Sequence, residues 1–255
     1  MINFFILSPL EQFEVFHLIS LDVTILGNFI FSITNLTFYT LLILFTVVGL
    51  HYYSNNDSNL IPNKSSIALE TSFATLSSMV RNQIGNNNEI YIPFIYSLFF
   101  FVLIGNLISN VPYSFALNAS AIVALGLSVT IFIGVTILAL SKHGLKFFSF
   151  FIPGGTPLAL VPVLALIELV SYFARAVSLG VRLFANLFAG HSLLKILATF
   201  LYKLFSGNIV IALFTLIPFA IFLGIVGLEI GVSFIQAYVF TILICSYLKD
   251  AIELH

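Results

Sequence analysis

Residues 168–191 read ELVSYFARAVSLGVRLFANLFAGH. The stretch sets Glu168, Arg175, Arg182, Asn186 and His191 inside a run that is otherwise apolar or small. Hydrocarbon makes each ion costly, about 2.5–3.5 kcal/mol for a central arginine on insertion scales. An ion kept there marks a candidate functional site, and the rest of the chain reads as scaffolding around it.

The chain has 255 residues, 60% hydrophobic and only 7% charged. Soluble domains carry about 25% charge, so this is a polytopic membrane protein; the expected fold class is an all-α integral membrane protein with about three near-perpendicular transmembrane helices, one amphipathic surface helix and a long steeply tilted antiparallel helix pair. A net charge of −1 leaves no basic stripe for nucleic acid. The single cysteine, Cys245, sits in an apolar run. A disulfide framework and a cysteine-based metal site are thereby excluded, and Cys245 reads as a small buried hydrophobe. No cofactor or metal motif stands out. Residues 1–8 lack the basic flank of a secretory signal. Without a secretory context, the N-x-S/T matches at Asn35, Asn63 and Asn118 imply no glycosylation.

Residues 1–24 form an N-terminal segment with Glu11, Glu14 and Asp22 and no lysine or arginine. A first transmembrane helix is expected over 25–50. The polar loop 51–90 follows and contains an amphipathic helix over 66–82. Leu69, Phe73, Leu76 and Val80 share one face of it, suited to a membrane surface or to a partner subunit. Two more transmembrane helices fill 91–140. Lysine and arginine collect on the side of synthesis. Lys64, Arg81, Lys142, Lys146 and Lys249 then share the inner side with the C-terminus, opposite the acidic N-terminus, while Lys203 goes against the rule.

The last unit, 156–248, departs from simple spans. From 157 to 205, 49 residues pass without a turn signal. As one helix they would extend ~74 Å against a hydrocarbon core of ~30 Å. Either a tight reversal is hidden there, or two long helices lie steeply tilted as an antiparallel pair. An ordinary tilt of about 20° cannot absorb the excess.

On a 100° helix, the face of Arg182 carries Ser171, Ala174, Arg175, Ser178, Ala185, Asn186 and Ala189. Phe173, Val177, Phe184, Phe188 and His191 fall on the opposite face. Small residues let another helix approach closely, so the strip reads as a contact surface that leaves its arginine open. An ordinary helix–helix seam is the competing reading, although a seam gains nothing from arginine. Glu168, Arg175 and Arg182 are spaced by seven, as are Glu229 and Gln236, with Asp250 two sevens further on. An antiparallel register that sets Gln236 opposite Arg182 also sets Asp250 opposite Glu168 and Glu229 within two residues of His191. Glu168 then lies ~21 Å from Arg182 along the axis and His191 ~13 Å on the other side. Arginine stays protonated and cannot relay protons, whereas carboxylates and histidine can. The arrangement reads as two half-paths for protons that do not meet, with a counter-ion for Arg182 supplied by a partner.

LGVRLFANLFAGH (179–191), FIQAYVFTIL (234–243) and YLKD (247–250) resemble subunit a of the rotary F-type ATP synthase. SPLEQFE (8–14), NLISNVPYSFAL (106–117), KHG (142–144) and PGGTPLALVP (153–162) are similar to its mitochondrial, especially fungal, branch. The resemblance covers nearly the whole chain. It implies that Arg182 is the family's essential arginine, with Asn186 one turn on and Gln236 at the glutamine of the last helix. It implies proton intake past Glu229 and His191, which bacterial relatives hold with acid and histidine exchanged, and release past Glu168, Arg175 and Asp250. Ser178, Ala185 and Ala189 would contact a ring of c-subunits, each bringing a membrane carboxylate to Arg182. Subunit b and small stator subunits such as subunit 8 are further implied partners. So is a mitochondrial inner-membrane location with the N-terminus toward the intermembrane space. Members of the branch can lose a short leader, here up to residue 7.

Two other classes compete. A redox membrane subunit needs histidine pairs on facing helices, and only His191 lies within a long membrane helix. A stand-alone ion-coupled transporter shows internal repeats and broken helices. Gly224, Gly227 and Gly231 interrupt the last segment, but no second half matches them.

Overall fold

The structure, a computed structural model, describes residues 10–23, 29–55, 62–111, 114–151, 160–207 and 214–252. The possible leader (1–7), the PGGTP stretch (153–157), the start of the last unit at 156 and residues 208–213 lie outside these residues. Six α-helices carry the described fold: α1 (Asn35–Asn55), α2 (Lys64–Ile84), α3 (Ile92–Ser109), α4 (Ala121–His143), α5 (Val161–Phe205) and α6 (Leu216–Ile252). All but α2 belong to helical runs long and apolar enough to cross a membrane.

The N-terminal part corrects the expected first span. Strands β1 (His17–Val23) and β2 (Phe29–Thr34) pair antiparallel, so α1 starts at Asn35 rather than at 25. Phe29, Ile30, Phe31, Ile33 and Thr34 make β2 rich in β-branched and aromatic residues, which suit a pleated surface, and β1 adds Ile19 and Val23. An apolar run alone does not distinguish strand from helix. Asn35 then fixes the junction. Its side-chain amide donates to Glu14 O at 3.0 Å, and its Oδ1 accepts from the backbone N–H of Leu36 at 2.8 Å.

Helix limits follow local chemistry. Pro93 and Pro162 sit in the first turns of α3 and α5, where a missing N–H costs nothing. Gly85 and Gly144 end α2 and α4 at φ of 92° and 54°, a region open to glycine. Arg81, Lys142, Lys203 and Lys249 lie in last turns, where the helix dipole favours cations. No reversal interrupts α5, whose 45 residues extend about 68 Å, or α6, whose 37 extend about 56 Å. Gly224, Gly227 and Gly231 leave α6 unbroken.

The core gathers around the second half of α6. Ala237, Phe240, Thr241, Ile244, Cys245, Leu248 and Ala251 recur at three- and four-residue steps and are buried against α2, α3, α4 and α5. Leu76, Met79, Val80 and Ile84 of α2 join that core, while Ile67 and Phe73 remain exposed. Half of the amphipathic helix therefore packs within the chain itself, which neither sequence reading anticipated. His143 at the end of α4 is 3.1 Å from Ile252 O, tying the two C-terminal ends together.

Candidate functional site: a helix face with two carboxylate sites

Helix α5 buries Ala176, Leu179, Gly180, Leu183 and Leu187. A Cβ at Gly180 would collide with Ser128 Oγ and lie 3.0 Å from Ala124 O, so α4 seats directly on the α5 backbone. Leu179, Leu183 and Leu187 pack inward at four-residue steps, which aims the rest of the helix away from the core. Ala174, Ser178, Arg182, Ala185 and Ala189 are exposed in one strip, with Ser171, Arg175 and Asn186 half-buried along its edge. Arg182 makes no ion pair among the described residues; Arg175 takes both acids within reach on this stretch of α5 and α6. Phe173 and Val177, expected opposite, are also exposed, whereas Phe184, Phe188 and His191 are half-buried.

Toward the N-terminal end of α5, Arg175 Nη1 donates to Asp250 Oδ2 at 2.9 Å. Its Nη2 donates to Glu168 Oε1 at 3.5 Å. Helical side chains lean toward the N-terminus. Arg175 therefore reaches back to the level of Glu168, where antiparallel α6 brings Asp250. The spacing argument set Asp250 beside Glu168; the structure puts the Arg175 guanidinium between them. Tyr247 adds a hydrogen bond from its hydroxyl to Arg175 O at 3.3 Å. A cavity of about 20 Å³ is walled by Tyr172, Arg175, Tyr247 and Asp250 together with Phe132 and Phe147. That is room for about one water molecule.

Toward the other end, Glu229 of α6 presses its carboxylate onto α5 at Gly190, where a Cβ would collide with Oε1. Glu229 also lines a cleft of about 220 Å³ with Asn186, Ala189, Gly190 and Leu193. Because Asn186 and Ala189 belong to the Arg182 strip, the cleft opens on the same face. His191 does not line it. Its Nε2 is buried without a partner among the described residues. The structure thus brings Glu229 to the residue beside His191, with no hydrogen bond between the two side chains.

Gln236 stands between the two sites. It is buried on the inner face of α6. Gly190 lies eight residues beyond Arg182, and Gln236 seven beyond Glu229, so Gln236 arrives near the level of Arg182. No hydrogen bond joins Gln236 to Arg182. Among the described residues no three histidine, cysteine, aspartate or glutamate side chains gather as a metal site.

The sequence reading missed a third polar group. Asn106, Asn110, Asn118 and Ser233 form a hydrogen-bonded cluster joining α3, the turn Leu117–Ala119 and α6. The signal available was the pair Asn106 and Asn110, four apart on one face of an apolar span.

The family described as ATP synthase A chain matches residues 34–249. The chain belongs to the ATP synthase A chain family. The matched span includes Glu168, Arg175, Arg182, Asn186, His191, Glu229 and Gln236, and stops one residue short of Asp250. The ATP synthase subunit a of Mycosarcoma maydis is 61% identical over 252 residues, covering 99% of each chain. That of Podospora anserina is 50% identical over 249 residues, covering 97% of this chain and 94% of its own. That of Kluyveromyces lactis is 48% identical over 256 residues and covers both chains completely. The similarity to these ATP synthase A chains therefore includes the N-terminal hairpin as well as the two long helices.

Proposed function

We propose that this chain is the proton-translocating stator subunit a of the F0 sector of a mitochondrial ATP synthase, with Arg182 dividing two half-paths. One observation carries the reading. Arg182 stands without an ion-pair partner among the described residues on an exposed strip, with a carboxylate site on each side of it along α5. The Glu168 site is ~21 Å away along the axis and the Gly190–Glu229 site ~12 Å away. A permanent cation cannot pass protons on. It favours the ionised form of any carboxylate that comes beside it. A rotating c-ring that brings such carboxylates along Ser178, Arg182, Ala185 and Ala189 loses a proton on one side and gains one on the other. Protons enter past Glu229 and His191, with Asn186 and Gln236 between them and the barrier. They leave past Glu168 and Asp250, which Arg175 positions. A membrane potential supplies about 2.3 kcal/mol per charge per 100 mV, so several protons drive each ATP made elsewhere in the complex. The chain itself has no catalytic site.

The lengths of α5 and α6 exceed the ~30 Å core so far that both lie steeply tilted, wrapped along the ring. The protein sits in the mitochondrial inner membrane with its N-terminus toward the intermembrane space and its C-terminus toward the matrix. Exposed Ile67 and Phe73 of α2 offer a seat for subunit b or for a small stator subunit such as subunit 8. Single cysteines at Ser178 or Ala185 in the assembled complex test the reading. Oxidation should form a disulfide with a cysteine introduced on the facing helix of a c-subunit, and not with one introduced on a neighbouring stator helix. A link to another stator helix instead would return the strip to an ordinary seam.

A further inference from the structure

Asn118 is fully buried, although it belongs to a turn between helices. It enters the bundle because Gly105 leaves room; a Cβ there would lie 3.0 Å from Asn118 Nδ2. Asn118 Nδ2 donates to Asn106 Oδ1 at 2.7 Å, and Asn106 Nδ2 donates to Ser233 O at 3.5 Å. Asn110 Nδ2 donates to Ser233 Oγ at 2.9 Å, and that hydroxyl donates to Glu229 O at 2.9 Å. Each amide has thus spent a donor on the next member of the chain. Two acceptors are left over. The side-chain oxygens of Asn110 and Asn118 are buried and have no donor among the described residues.

Buried amide oxygens are rarely left unpaired, and water is the usual partner when protein donors are committed elsewhere. Rotating the Asn118 amide does not help, since it would turn its oxygen toward Asn106 Oδ1, and rotating that of Asn110 would draw the Ser233 hydroxyl away from Glu229 O. The cluster is also placed to matter. Ser233 lies one turn beyond Glu229 and three residues before Gln236, and the network ends on the Glu229 backbone carbonyl.

We infer that Asn110 and Asn118 bind buried water, and that this hydrated cluster is a positioning device holding the turn of α6 that aims Glu229 at Gly190. The inference rests on the reading of Glu229 as the intake carboxylate, but its first test does not. A high-resolution structure of the whole complex in lipid should carry ordered water within hydrogen-bond distance of both asparagine oxygens. A dry cluster in a map that resolves water elsewhere in the membrane sector overturns the site. The second test is function. Asn118→Leu, in complex that assembles at normal level, should slow proton-driven ATP synthesis about tenfold, the rate equivalent of one lost hydrogen bond. Asn118→Ser, small and polar enough to keep a water, should restore most of it. If Asn118→Leu does not assemble, Asn110→Ala serves in its place and should lose the water and the rate together. Unchanged synthesis in an assembled variant that has lost the water refutes the positioning role. Glu229→Gln, run in parallel, separates the two failures. If it leaves synthesis intact, the intake reading is wrong even where the water is present.

Discussion

The Glu229 carboxylate of α6 occupies the space that a side chain at Gly190 of α5 would fill. The missing side chain at Gly190 is what lets the acid of one long helix lie against the other. Arg175 and Asp250 fix the same antiparallel pair at its other end. Arg182 lies between the two fixed points and belongs to neither.

Gly190→Ala should displace Glu229 while leaving the helix intact, since alanine is the better helix former. Proton-driven ATP synthesis in membranes should fall at least as far as in Glu229→Gln, with complex assembly near normal on a native gel. Synthesis at the unmodified rate would mean that the contact does not aim the carboxylate.

Asp250→Asn removes one of the two charges that hold Arg175. The pair is about one-third exposed on each side, so its loss should cost little stability, of the order of 1 kcal/mol or less. Proton release should slow all the same, because Arg175 loses its fixed position beside Glu168. Comparing thermal unfolding of the complex with its synthesis rate separates the effects. A large loss of stability with unchanged turnover would make the triad a structural clamp only.

Phe240→Ala tests the core. The ring is 1% exposed on the face of α6 that α2, α3 and α5 cover. Its removal should destabilise the folded chain by about 3–5 kcal/mol, read as a lower denaturant midpoint or as loss of assembled complex. An assembled complex of normal stability would place the centre of the core elsewhere.

Much of this molecule was legible in the sequence because charge is so costly in hydrocarbon. Glu168, Arg175, Arg182, Glu229 and Asp250 stand out for that reason alone, and a register that sets Gln236 opposite Arg182 brings Glu229 to within a residue of its contact at Gly190. What stayed hidden is what apolar residues cannot signal. Leu179, Leu183 and Leu187 face inward while Phe173 and Val177 do not, yet lipid and protein interior are equally apolar, so hydrophobicity does not mark the difference. The strand Phe29–Thr34 passed for the start of a span because its residues are mostly apolar in either form. The inward fold of Asn118 depends on Gly105 of another helix, a tertiary fact that no local pattern carries.

Arg182→Ala in the assembled complex removes the barrier that Arg182 forms between the two half-paths. The measurement is proton flux across sealed vesicles, taken together with proton-driven ATP synthesis in the same preparation. Synthesis should be abolished, and protons should pass passively without rotation. Coupled synthesis that survives the substitution, with no leak, would contradict the barrier role.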